Sequence, residues 1–68
     1  MMSDDNEFIK ISLIDDIVVE GYMRFKDLRH MIYEAEMNNK KFIELNDVDN
    51  IKVIINVNKI IQIKVQGE

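Results

Sequence analysis

Cysteine is absent from these 68 residues, and histidine occurs once, at His30. Disulfides and structural zinc, the cross-links on which small domains lean, therefore have no ligand set here. The lack of cysteine fits a reducing cytosol, and a cytoplasmic protein is expected. Glycine is scarce as well. Gly21 and Gly67 stand alone, which excludes a glycine-rich loop cradling a phosphate. No apolar run approaches the roughly 20 residues that a membrane-spanning helix needs. Residues 1–6 are polar and acidic, not a basic stretch followed by an apolar one, so no secretory signal is expected. Positive charge is thin: 9 Lys and Arg stand against 13 Asp and Glu, for a net charge of −4. Duplex nucleic acid repels such a surface unless its basic residues cluster, and only Lys40 and Lys41 are adjacent.

What is present is apolar residues, 47% of the chain. That suffices for one core, and a chain this short allows one domain, which buries only about 60% of its unfolded surface. The expected organisation is a disordered tail at residues 1–6 and a single domain at residues 7–66.

Periodicity supplies the elements. Glu7 to Leu13 alternates, with Ile9, Ile11 and Leu13 on one face, and Ile17 to Met23 alternates likewise. Gly21, on the inward face, implies a bulge or the close approach of another element. The loop length follows from parity. A two-residue loop sets Ile11 against Glu20, whereas the three-residue loop Ile14-Asp15-Asp16 sets Leu13 against Ile17 and Ile11 against Val19. The second keeps the apolar sets together and requires Asp16 to take the left-handed conformation. From Phe25 the period becomes 3.6. Phe25, Leu28, Ile32 and Ala35 form one stripe on a helix from Lys26 to Asn39, which Asn38-Asn39 can end. Lys41 to Leu45, Ile51 to Val57 and Ile61 to Val65 are three further strands with odd-numbered residues inward. By the same parity, a connector Asn58-Lys59-Ile60 pairs Val57 with Ile61, Ile55 with Ile63 and Val53 with Val65.

Catalytic and metal chemistry finds little to work with. His30 lies off the apolar stripe with no second ligand or nucleophile marked near it, and reads as a solvated helix residue. Asp47-Val48-Asp49 begins like a calcium loop, but counting from Asp47 puts Ile51, Lys52 and Asn58 where an oxygen ligand, Gly and Glu belong. Asp15-Asp16 reads as a solvated hairpin tip. No cofactor, no metal and no enzymatic activity are expected. The anomaly lies elsewhere. Phe8, Val18, Tyr22, Phe42 and Ile54 occupy even strand positions and point away from the core. Either sheet curvature and the helix cover them, or a second copy or another protein does. Tyr22, Phe42 and Ile54 are the candidate interface residues.

Val53 to Val65 resembles the last two strands of SH3-like and Sm-like small barrels. There a strand ending in a polar residue, here Asn56-Val57-Asn58, passes through one 3₁₀ turn, here Lys59-Ile60, into a final strand. The resemblance implies that Ile60 plugs one end of the barrel. The Gly of the Sm-like second motif is missing, so no RNA-binding residue is carried over. In its Ile, Lys and Asn richness the chain also looks like the short proteins of prophages and mobile elements in AT-rich bacteria. The expected fold is α+β, with element order β-β-α-β-β-β. Its five antiparallel strands form a strongly bent sheet or SH3-like small barrel with one capping helix. An open sheet with the helix across one face is the alternative. The expected function is a non-enzymatic protein-interaction module, homo-oligomeric and regulating or inhibiting a host protein. A nucleic-acid-binding small barrel is the alternative.

Overall fold

The structure, a computed structural model, describes residues 6–66. Apart from the exposed Asn6, the expected tail lies outside the described residues. The elements follow the expected order: β1 (Glu7–Leu13), β2 (Val18–Met23), α1 (Phe25–Met37), β3 (Phe42–Asn46), β4 (Lys52–Asn56), a 3₁₀ turn (Val57–Lys59) and β5 (Ile60–Gln66).

Both hairpins use one loop design. In the first, Ile11 pairs with Val19, and the Leu13 N–H donates to Ile17 O at 2.8 Å. Asp16 closes a turn onto Leu13 O with φ 62°, so the three-residue loop and its left-handed Asp16 stand as expected. In the second hairpin the Asp47 N–H donates to Ile51 O at 3.0 Å, and the Asn50 N–H to Asp47 O at 2.9 Å, with Asn50 at φ 61°. This is a type I turn followed by a left-handed residue, a position that Asp and Asn tolerate better than most other residues. The Asp47 side chain adds two bonds, accepting from the N–H groups of Asp49 and Ile51.

The helix begins one residue before the expected Lys26 and ends two before Asn39. Its first free N–H, on Phe25, donates to Oε1 of Glu7 at 2.9 Å, so a carboxylate from β1 caps the positive end of the helix. Arg24, the N-cap residue, makes no side-chain cap but pairs with Asp27 at 2.9 Å. The C-terminus closes as a Schellman motif. Asn39 is left-handed at φ 57°, its N–H donates to Glu36 O, and the Lys40 N–H donates to Ala35 O.

The sheet departs from expectation. The five strands do not form one bent sheet or a closed barrel; they divide into a three-stranded sheet, β2-β1-β5, and a two-stranded sheet, β3-β4, both antiparallel. The expected pairings of Val57 with Ile61, Ile55 with Ile63 and Val53 with Val65 are not made. Ile55 lies opposite Ile43, and Val53 opposite Leu45. Ile63 lies opposite Ile11, and Val65 opposite Ile9. The cause is the 3₁₀ turn, which starts at Val57, two residues before the expected Lys59-Ile60, and spans three residues. The Asn56 side chain accepts from the Asn58 N–H at 2.9 Å and fixes the turn, which carries the chain out of one sheet and into the other.

The sheets meet at Gly21. A Cβ there would lie 2.8 Å from the backbone oxygen of Asn46. Gly21 thus serves close approach, and the β1–β2 register runs through it without a bulge. Beside it, the Val48 N–H donates to Glu20 O at 2.9 Å. The core between the sheets and the helix consists of Ile9, Ile11, Val19, Leu28, Ala35, Ile43, Leu45 and Ile55, with no buried polar side chain among the described residues. Ile32 is only half-buried at its margin.

Candidate interaction surface

The outward faces of the two sheets carry the candidate residues. Tyr22 is 63% exposed on β2, and its ring stacks at a tilt on Phe8, with centroids 5.2 Å apart. Phe8 lies directly across on β1 and is half-buried. Phe42 and Ile54 are 56% and 60% exposed on β3 and β4. Phe42 faces Asn56, and Ile54 faces Glu44, so the two apolar residues are diagonal neighbours on one face. Glu44 and Lys52 occupy the next diagonal of the same sense and form an ion pair at 3.6 Å. An apolar diagonal and a charged diagonal therefore run side by side.

The structure brings Phe42 and Ile54 together and puts Tyr22 with Phe8 on the other sheet. It also answers the question of cover. The helix turns Leu28 and Ala35 into the core and leaves Tyr22, Phe42 and Ile54 more than half exposed. Phe42 borders a groove of about 190 Å³ between the helix and β3, walled also by Met31, Ala35 and Ile43.

Sequence reasoning missed several exposed apolar residues. Tyr33 and Met37, one turn apart on the helix, both face solvent. Ile17, Ile51, Ile61 and Val65 were expected inward and are exposed. Ile17 and Ile51 stand just outside β2 and β4, at the rim. Ile61 is the extra residue of a β-bulge. Leu13 pairs with Ile60 and Ser12 with Gln62, and Ile61 has no partner on β1. The even spacing of Ile61, Ile63 and Val65 gives no hint of it.

Several titratable residues are engaged locally. His30 is exposed, with Nε2 3.2 Å from Oε2 of Glu34 one turn on. Around it a shallow depression of about 460 Å³ is lined by one helix alone, including Lys26, Arg29 and Tyr33. The Arg29 guanidinium lies 5.9 Å from the centroid of the Phe25 ring. Asp15 at the hairpin tip lies 3.9 Å from Lys59, and the Asp47 carboxylate is held by its own turn. Among the described residues no group of three or more His, Asp or Glu is placed to hold a metal ion, and no helix is long and apolar enough to cross a membrane. No family model matches the chain, and no curated protein or solved structure matches it either.

Proposed function

We propose that this chain is a non-enzymatic, cytoplasmic protein-interaction module that associates with itself and regulates a host protein. The observation that carries the reading is the exposed Phe42–Ile54 diagonal beside the Glu44–Lys52 pair. An apolar centre edged by polar groups is the anatomy of a protein contact. Tyr22 over Phe8 supplies a second, aromatic contact point on the other sheet. The architecture is read as SH3-like in its last two strands only, since the five strands make two separate sheets. The 3₁₀ turn between β4 and β5, and Ile60 packed against the core behind it, support that description.

Affinity capture from the cytosol of a producing cell tests the function. Proteins retained by the native chain should be lost with Phe42→Glu and Ile54→Glu, and kept with Lys26→Ala. Equal retention by all four chains would refute the assignment of this face. A nucleic-acid-binding small barrel is the second reading, favoured by Lys26 and Arg29 beside Tyr33 on the helix flank. The net charge of −4 weighs against it. Anisotropy of a labelled oligonucleotide across a salt series separates the two. The interaction module gives no binding, whereas phosphate contacts give affinity that falls steeply with salt.

A further inference from the structure

The core is unfinished along β5. Every other strand buries at least one side chain, and β5 buries none. Yet Ile63 and Val65 lie opposite Ile11 and Ile9, two of the most deeply buried residues, and so stand on the core face. Val65 is 38% exposed there, and Ile61, the bulge residue of the same strand, is 64% exposed.

The backbone of β5 is open at the same residues. The Leu13 N–H donates to Ile17 O, so Leu13 and Ile17 are a hydrogen-bonded pair. Alternation turns the backbone groups of Ile9 and Ile11 toward β2 and those of Phe8, Lys10 and Ser12 toward β5. Their partners Gln66, Lys64 and Gln62 are thereby engaged, and Ile63 and Val65 present their N–H and C=O groups to the free edge. In β5, then, the residues with free backbone groups are those whose side chains face the core.

The other edges have the opposite parity. The Val57 N–H donates to Lys41 O, and the Asp47 N–H to Ile51 O. The inward residues of β3 and β4 therefore bond to each other, and the free groups belong to outward residues: Phe42 and Glu44 on β3, Lys52 and Ile54 on β4. In β2 the free groups likewise belong to outward Val18, Glu20 and Tyr22, and Val48 already takes the Glu20 oxygen. Hydrogen-bonded partners share a face. Joining β5 to β2, β3 or β4 of another copy would continue a core face into a solvent-facing outer face. Only a second β5 matches β5 in both respects.

We infer that two copies of this chain pair antiparallel along β5, about a two-fold axis at Ile63, to form a continuous six-stranded sheet. In this register Ile63 faces Ile63 of the second copy, and Ile61, the bulge residue, lies at the end of the seam next to Val65 of that copy. Lys64 faces Gln62, so no like charges stand directly opposite. The open backbone groups are satisfied, and the uncovered apolar strip gains a matching neighbour. The inference deepens the self-association part of the proposed function and places that contact away from Phe42 and Ile54.

The test uses sedimentation at tens to hundreds of micromolar, with circular dichroism to check folding. The native chain should run as a dimer. Ile61→Lys changes an exposed residue with no partner on β1, and should give a folded monomer. Val65→Pro removes an edge-facing N–H without touching the β1 ladder, and should do the same. Ile54→Glu should remain a dimer. Because the chain has no cysteine, Ile63→Cys is a clean reporter. Directly paired Cα atoms about 5.5 Å apart suit a disulfide, so oxidation should link two copies, while Ile54→Cys should not link. A dimer dissolved by Ile54→Glu but kept by Ile61→Lys would overturn the β5 contact and leave the interaction module standing. A monomer throughout would overturn self-association, leaving only the regulation of a host protein.

Discussion

Gly21 shows how one missing atom sets the relation of two sheets. Its backbone is not left-handed, so alanine gains from a stiffer unfolded chain, by about 0.4–1 kcal/mol. Against this stands a Cβ at 2.8 Å from the Asn46 oxygen, a backbone atom with no rotamer to give way. The clash wins, and Gly21→Ala should destabilise by about 1–3 kcal/mol in urea unfolding. Ile55 presents the plainer case. It is 1% exposed at the centre of the core, and Ile55→Ala should cost about 2–4 kcal/mol, against almost nothing for Lys52→Ala on the same strand. Both residues were legible beforehand, Gly21 as a break in an apolar face and Ile55 as the middle of an alternating run. Ile61 was not. Alternation reports which face a residue takes only while the ladder is regular, and a bulge leaves no mark in the spacing.

At the level of elements, parity gave the loop length of the first hairpin but could not name the partners of β4 and β5. The first hairpin came out with its register and its left-handed Asp16 because the residues on both sides of a short loop must fold back on each other. The same test applied to β4 and β5 compared two ways of folding back and never the third course, in which a 3₁₀ turn hands the chain to β1. Ile63 and Val65 satisfy the inward parity equally well opposite Ile11 and Ile9. The candidate surface was legible to the same degree. Tyr22, Phe42 and Ile54 were identified as outward from their even positions, but their division between two sheets depends on strand order. The cap on the helix was also out of reach, since Glu7 and Phe25 are 18 residues apart. It yields a prediction. Glu7→Ala leaves the Phe25 N–H without its acceptor and should cost about 0.5–2 kcal/mol, read as a lower unfolding midpoint. Glu7→Gln keeps an acceptor oxygen and should recover part of the loss. Equal midpoints for Ala and native would show that water serves the Phe25 N–H as well.

For the whole molecule, the question is whether eight buried side chains and two small sheets hold the fold alone. The described chain has no cross-link, and no buried polar network adds to the apolar term. Small domains in this position commonly draw on a neighbour. A second copy bound only to the native state contributes by mass action, so its effect must appear in the melting temperature. The size can be bounded. At about 0.7 kcal/mol per residue, two chains melting together absorb about 95 kcal/mol, which makes the midpoint rise by about 5 °C for each tenfold increase in concentration. A monomer shows no such dependence. Melts followed by circular dichroism from about 5 to 500 μM, centred on the interface range of a weak dimer, should therefore shift upward steadily. With Ile61→Lys the slope should vanish while the dilute-limit midpoint stays near the native one, because that residue is exposed within a single copy. A flat native curve would mean that this small core suffices by itself and that the open strip on β5 is tolerated, not used.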